Sequence, residues 1–359
     1  LDAPDLREAP DTVLQGVAHE VVTFTWDERP VRLFVNAHTR LPAGYALPAP
    51  VGDFFETIWG DTPTVTLWSL WSLEPGGWLY PRQTDVFRLG QPWSSELRSV
   101  VTFDAPAPAD SFAIADEIRA AFAQGEGSVT SMADMRPGMD FRGGANEATE
   151  LAPGVVTMPG AYAATWLEQD DQVVILEGPM TSAWTGAVLA EAERRFPDKP
   201  VGAVVSTSDA WPHIGGLREF VARGIPVWAF DLNAPIVERL LDAPRRRAPD
   251  ALAGSGRTPE IRPVAGPLAI GEGPNRIELY PVRGEGGERM IVAWLPQRRI
   301  LYASDLLQIQ PDGSAFWPEY LMELTAVVER HGLEPETVFA MHTPPVPWSR
   351  VLELLEGAR

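Results

Sequence analysis

Short apolar runs alternate with helical segments through the second half of the chain, and this alternation constrains the fold more than any other feature of the sequence. Apolar runs at residues 173–176, 201–205 and 226–230 are followed by segments with helical periodicity at residues 181–196, from His213 to about residue 223, and at 236–241. Strands separated by helices are typical of a sheet with crossover connections. The sequence therefore predicts an α/β arrangement for this half.

The same half ends differently from how it begins. A Pro/Arg-rich stretch at residues 242–263 interrupts the alternation. Runs with hairpin-like spacing then follow, and two helical segments close the chain. We predict these strands at residues 276–282, 290–295 and 300–303, and the helices at 320–331 and 348–356.

The first half is rich in tryptophan and proline and carries no motif that indicates a function. It has β-like runs at residues 19–26, 31–36, 64–70 and 97–103, and one segment of helical periodicity at 109–124. Glycine, serine, aspartate and proline at 124–144 are typical of a linker. We therefore predict an N-terminal α+β domain at residues 1–146 and a second domain at 147–359.

Four tryptophans lie close together in the N-terminal part, Trp59, Trp68, Trp71 and Trp78. They have two interpretations, the core of a small sheet or a groove for a flat or apolar ligand. Core packing is the commoner role of such residues, and we favour it here.

Residues 204–217 read VVSTSDAWPHIGGL, which is a β-run, a polar turn with one histidine, and a Gly-Gly entry into a helix. This stretch resembles the metal-binding turn of the metallo-β-lactamase-fold hydrolases, His-x-His-x-Asp-His followed by Gly-Gly-Leu. The resemblance extends over residues 147–359, and it implies an αββα sandwich with a metal site at the edge between two sheets. Further matching segments occur in the family's order, LAPGV at 151–155, EGP at 177–179, RILYASD at 299–305 and MHTPPVPW at 341–348.

The resemblance also implies where metal ligands would stand. Ser208 and Ala210 replace two histidines of the first metal site, and the third ligand position falls at Gly286, so this site is lost. Pro212 replaces the aspartate of the second site. The remaining ligands are His213, Asp305 and His342, which imply at most one zinc, iron or manganese ion that activates a water molecule.

Other side chains offer alternatives near this set. Asp209 lies one position from the lost ligands and could substitute for one of them, so we include it with His213 and Asp305 as a candidate catalytic residue. Glu285 or Glu288 could do the same from the hairpin side. A site without metal is equally open.

In a metal-free site the three retained residues would have structural roles. His213 would pack or hydrogen-bond, Asp305 would cap a turn and His342 would hold its loop. Ser208 and Asp209 beside His213 would also suggest a nucleophile and a base, although no oxyanion donor is identifiable.

Composition limits the partners. A formal net charge of -20 and a sequence pI near 4.6 disfavour nucleic acid and favour a neutral or cationic small molecule. The chain has no cysteine, and no apolar run in it is long enough to span a membrane. We expect a divergent hydrolase acting on a small molecule, or alternatively a metal-free, catalytically silent binding or scaffolding protein. The sequence is compatible with a cytoplasmic or an exported, periplasmic protein, and it indicates no oligomeric state.

Overall fold

A computed structural model describes residues 3–49, 58–108, 110–123, 135–139, 146–284 and 288–357. The chain divides into two compact units, Leu1–Ser128 and Val129–Arg359. The division between the units, after residue 128, lies N-terminal to the domain boundary that we predict between residues 146 and 147. The boundary at 146/147 stays a prediction. Across the described ranges, every helix is too short or too polar to cross a membrane.

The N-terminal unit contains a seven-stranded antiparallel sheet whose strands pair in chain order. Buried and exposed positions alternate over residues 29–32, where Arg29 and Val31 are buried and the residue after each is exposed, as expected of a sheet with two different faces. The elements are β1 (Arg7–Leu14), β2 (Val17–Trp26), β3 (Arg29–Asn36), β4 (Pro42–Ala46), β5 (Thr64–Glu74), β6 (Trp78–Arg88), β7 (Gln91–Leu97) and a helix, α1 (Asp116–Ala123).

Two predicted elements of this unit are misplaced. The strand predicted at 97–103 is wrong because β7 ends where that run begins, and its register on β6 would next set Ser99 opposite Pro81, which has no N–H to donate. The helix predicted at 109–124 begins only at Asp116, where two acidic residues suit the first turn. No residue of α1 is buried, so its apolar periodicity corresponds to no packed face among the described residues.

The tryptophans do not form a closed core. Trp59, Trp68 and Trp71 are half-buried, and Trp68 packs against Tyr45 with ring centroids 5.5 Å apart. Trp78 is 54% exposed, so the core interpretation is wrong for this residue.

The C-terminal unit begins with a seven-stranded sheet in the order β14-β13-β12-β11-β10-β9-β8. Its strands β11 to β14 are parallel, and its strands β8 to β11 are antiparallel. The strands are β8 (Thr149–Ala152), β9 (Val155–Met158), β10 (Ala164–Glu168), β11 (Val173–Leu176), β12 (Val201–Ser206), β13 (Val227–Phe230) and β14 (Ile261–Val264).

A six-stranded sheet follows in the order β15-β16-β17-β18-β19-β20. Only β18 and β19 run parallel within it. The strands are β15 (Leu268–Ile270), β16 (Ile277–Val282), β17 (Met290–Leu295), β18 (Ile300–Tyr302), β19 (Thr337–Phe339) and β20 (Val346–Pro347).

Helices cover the outer faces of both sheets. Apolar residues from both sheets form one core between them, and a second core lies between the six-stranded sheet and the last two helices. Three further helices, at residues 182–195, 217–222 and 234–241, contact the seven-stranded sheet, so the predicted αββα sandwich is confirmed. The helices are α2 (Ser182–Arg195), α3 (Trp211–Ile214), α4 (Leu217–Ala222), α5 (Ala234–Leu241), α6 (Ala251–Ser255), α7 (Pro318–His331) and α8 (Trp348–Gly357).

Candidate metal centre

The site forms where the carboxyl ends of parallel strands from both sheets meet. Glu177 follows β11 and Thr207 follows β12 in one sheet, while Asp305 lies just after β18 and His342 just after β19 in the other. Because parallel strands present their carboxyl ends at one sheet edge, residues that are distant in sequence converge there. This edge is where the resemblance predicts a metal site.

His213 reaches the same place from a short helix. Pro212 occupies the first turn of α3, where its missing N–H costs no hydrogen bond. The N–H of Met180 donates to the carbonyl of Pro212 at 2.8 Å, which fixes the turn against the loop after β11. The His213 side chain is fully buried.

The two histidines and Asp305 form one compact cluster. His213 Nε2 lies 2.9 Å from Asp305 Oδ2, and His342 Nε2 lies 3.4 Å from Asp305 Oδ1. One ligand atom of each residue lies within 4.8 Å of the others, and the two rings are nearly perpendicular, at 89°. Both Nε2 atoms therefore converge on a single buried carboxylate.

The outer nitrogens of the two histidines have acceptors of their own. His213 Nδ1 lies 3.3 Å from Glu177 Oε1, an ion-pair contact rather than an aligned hydrogen bond. His342 Nδ1 donates to the carbonyl of Ala161. A histidine that ligates a metal commonly directs its other N–H at a carboxylate or carbonyl in this way, which fixes the ring and its tautomer.

Glu177 is itself held by hydroxyl groups. Its Oε1 accepts hydrogen bonds from Thr207 Oγ1 and, at 3.1 Å, from the Tyr302 hydroxyl. Thr207 Oγ1 lies 2.7 Å from Ser304 Oγ. Glu177 and Ser304 both have left-handed backbones, with φ of 73° and 53°, an arrangement that costs about 1–2 kcal/mol per residue and recurs at functional sites.

Burial and neighbouring charges shift the pKa values of the cluster in opposite directions. Burial lowers the pKa of His213, but Asp305 and Glu177 together raise it well above its ordinary value. Burial raises the pKa of Asp305, but the neighbouring histidines bring it below its ordinary value. Burial lowers the pKa of His342 and outweighs the opposing effect of Asp305.

The contact between His342 and Asp305 bears on whether these residues fit a metal ion. A neutral His342 that donates from Nδ1 keeps a lone pair on Nε2, and that lone pair faces Asp305 Oδ1. Asp305 Oδ1 is buried and accepts no hydrogen bond. Two electron-rich atoms facing each other in a buried site repel unless a cation lies near them, so this donor set fits a metal ion.

The other predicted residues have different partners. Asp209 is ion-paired with Arg289, whose Nε lies 2.8 Å from Asp209 Oδ2, so Asp209 stands apart from the cluster. The Ser208 hydroxyl donates to Glu288 and accepts from the backbone N–H of Ala210 at 2.9 Å. Ser208, Asp209 and His213 are therefore not hydrogen-bonded to one another. Glu285 and Gly286 lie outside the described residues.

Glu177 is the residue of this site that sequence reasoning missed. Residues 173–176 are a wholly apolar strand, and Glu177 follows it directly, yet its side chain is fully buried. A glutamate immediately after a buried strand was the available signal. Tyr302 gave no such signal, because it lies inside the apolar strand β18 and its position in the sequence pattern is that of an ordinary core residue.

Known proteins were compared with the chain at the levels of family, sequence and structure. No family model and no curated protein matches it. The similar solved structures include a metallo-β-lactamase from Pontibacter korlensis, at 17% identity and a TM-score of 0.46, over 59% of this chain and 99% of that chain. They also include the metallo-β-lactamase FIM-1 from Pseudomonas aeruginosa in its mono-zinc form, at 16% identity and a TM-score of 0.44, over 59% of this chain and 96% of that chain. A third, the metallo-β-lactamase from Erythrobacter litoralis, has 18% identity and a TM-score of 0.45, over 58% of this chain and 94% of that chain. All three are metallo-β-lactamases, the family that the sequence resembles.

Proposed function

We propose that the C-terminal unit is a single-metal hydrolase acting on a small molecule. The observation that carries the proposal is the 3.4 Å approach of His342 Nε2 to Asp305 Oδ1, a buried oxygen that accepts no hydrogen bond, beside His213. His213, Asp305 and His342 would hold the ion. When bound, a zinc-like ion supplies a Lewis acid and an activated water, and three protein ligands leave a coordination position for them.

The surrounding residues would fix the ligands and control access. Glu177 orients the His213 ring, and the Ala161 carbonyl orients that of His342. Tyr162 packs edge-on against His342 with centroids 5.1 Å apart and covers one side of the ring. The lower polarity around these buried groups strengthens each electrostatic contact.

The donor types narrow the choice of ion. Two imidazole nitrogens and one carboxylate suit zinc, and the same set suits iron or manganese. The absence of cysteine leaves no thiolate to compete for a softer ion. Zinc is the first ion to test.

The decisive measurement is the metal content of the full chain purified without chelator, followed by zinc titration. We expect close to one equivalent, lost in His213→Ala and Asp305→Asn and retained in His38→Ala, a matched control at an exposed histidine. Zinc at about 100 times its dissociation constant should stabilise the native state by roughly 2.7 kcal/mol, which is measured as a rise in Tm. A protein that is purified without metal, and whose Tm does not change when zinc, manganese or EDTA is added, would contradict the proposal.

A second candidate rests on His213 itself. Each of its ring nitrogens faces a carboxylate, so a protonated His213 with Glu177 and Asp305 forms a complete ion triad without any metal. This favours a metal-free binding protein on the same fold. It is supported if the native protein holds no metal and His213→Ala lowers Tm strongly, since both carboxylates then lose their buried partner.

A further inference from the structure

Three aromatic rings form a ledge beside the site, and we call Phe316, Trp317 and Tyr320 the aromatic ledge. Trp317 stacks on Tyr320 with centroids 5.4 Å apart and an interplanar angle of 20°, and Phe316 meets Trp317 edge-on at 5.7 Å. Tyr320 is buried, while Phe316 and Trp317 are each 48% exposed. Two large apolar rings at a helix start therefore face solvent instead of a core.

Glu288 connects this ledge to the candidate metal centre. Its Oε2 accepts a hydrogen bond from the Tyr320 hydroxyl at 3.4 Å, and its Oε1 accepts one from Ser208. Burial raises the pKa of Glu288, and the charge of Asp305 raises it further. Burial raises the pKa of Tyr320, and the neighbouring Glu288 and, to a lesser extent, Asp305 raise it further. The ledge, Glu288 and Asp305 therefore share one electrostatic environment.

Among the described residues, no ion pair joins an arginine to Asp305 or Glu288. Arg289 pairs with Asp209, and Arg283 pairs with Asp231 at 3.1 Å. The Asp305 carboxylate contacts the rings of His213 and His342, and Glu288 accepts hydrogen bonds from the hydroxyl groups of Ser208 and Tyr320. An anionic ligand would meet repulsion here, and a cationic one would meet attraction.

We propose that the aromatic ledge and Glu288 bind a small organic cation, an ammonium group attached to an apolar body. The cationic group would lie over the Trp317 ring toward Glu288, because a cation is attracted to an aromatic face and to a half-buried carboxylate. The proposed cation site names the substrate class of the proposed hydrolase. It rests on that function only in the claim that a bond of the bound cation is cleaved. The binding step itself stands on the ledge and Glu288.

Three probes that share a phenyl ring and differ in charge test the proposal. Benzyltrimethylammonium, benzyl alcohol and benzoate are titrated into the full chain by isothermal calorimetry, with ligand-observed NMR as a second readout. We expect the cation to bind tightest and benzoate weakest. Trp317→Leu should weaken the cation by roughly fivefold, about the size of one exposed cation–π contact.

A charge variant separates the two halves of the proposed site. Glu288→Gln should weaken benzyltrimethylammonium by about fivefold and leave benzyl alcohol unchanged, since only the charge is lost. Matched controls are Trp93→Leu, at an exposed tryptophan of the N-terminal unit, and Glu329→Gln, at an exposed position of α7. Neither control should alter binding.

The outcomes distinguish this inference from the proposed function. If His213→Ala abolishes metal binding while the cation still binds and still needs Trp317, the inference holds and the single-metal site of the proposed hydrolase is supported. If the native protein holds no metal but binds the cation in the same way, the hydrolase assignment fails and the inference holds. Equal binding of the three probes, no binding of the cation, or wild-type affinity in both Trp317→Leu and Glu288→Gln overturns the inference.

Discussion

His213 is the residue on which the candidate site depends. It is fully buried, and its two nitrogens lie 2.9 Å from Asp305 and 3.3 Å from Glu177. A buried imidazole between two carboxylates has two stable states, a doubly protonated ring or a neutral ring that binds a cation. In the second state His213 Nε2 would ligate the metal ion, and His213 Nδ1–H would point at the Glu177 carboxylate.

Glu177 provides a test of the second state. We expect Glu177→Gln to weaken zinc binding by about 10- to 100-fold, because the amide aligns His213 less strongly and makes it a poorer donor. The measurement is a competition titration of zinc against a chelator of known affinity. Glu329→Gln, at an exposed position, is the control and should bind zinc like the wild type. Unchanged zinc affinity in Glu177→Gln would mean that Glu177 serves only the fold.

At the scale of elements, Arg218 joins three helices of the C-terminal unit. It lies in α4, its side chain is buried, and it donates to the carbonyls of Leu240 and Leu241 at the end of α5. It also pairs with Asp250, the residue that caps α6 through the N–H of Ala253. Cations at a helix C-terminus and carboxylates at an N-terminus both stabilise helices, so this one pair fixes two helix ends.

The pair predicts a pH-dependent loss of stability. Asp250→Asn keeps a capping oxygen but leaves the Arg218 charge unpaired, so we expect a cost of about 3 kcal/mol near neutral pH, measured by calorimetric unfolding of the full chain. Burial raises the pKa of Asp250, but Arg218, the N–H of Ala253 and Arg245 together bring it below its ordinary value. The stabilisation is therefore present above the unfolded pKa of about 3.9 and is lost as the pH falls through the lower folded value.

The difference in Tm between wild type and Asp250→Asn should shrink as the pH falls below about 4. Asp198→Asn, at an exposed aspartate, is the control and should change stability by less than about 0.5 kcal/mol. A difference that stays constant down to acid pH would show that the charge of Asp250 is not what stabilises the helix ends.

Local patterns predicted the elements of the C-terminal unit well. Val173–Leu176 and Met290–Leu295 have the predicted bounds, and α2 fills the predicted helix with Thr181 as its N-cap. These elements are buried on at least one face, so the apolar positions in their sequences are the ones that pack in the core. In the N-terminal unit, α1 shows the opposite case, because no residue of it is buried.

At the scale of the whole molecule, the candidate metal centre belongs to one unit. His213, Asp305, His342, Glu177 and the carbonyl of Ala161 all lie within Val129–Arg359. This unit also has its own cores on both sides of the six-stranded sheet. The N-terminal unit supplies none of the contacts described for the cluster.

Expression of residues 129–359 alone tests this independence. We expect the fragment to unfold cooperatively and to bind zinc within about twofold of the full chain, since a site built by one core needs no second unit. Zinc titration and thermal unfolding of both proteins give the comparison. A fragment that folds but binds zinc more than about tenfold weaker would show that the N-terminal unit shapes the site.

The sequence by itself determined the order of the elements, the sandwich and the three candidate ligands, because apolar periodicity and motif order are local properties of the chain. Only the tertiary structure decided which side chains meet. It joined Glu177 to His213, paired Asp209 with Arg289, and brought Ser208 to Glu288. These contacts span 36 to 80 positions in sequence, so sheet order and strand ends, not spacing along the chain, determine them.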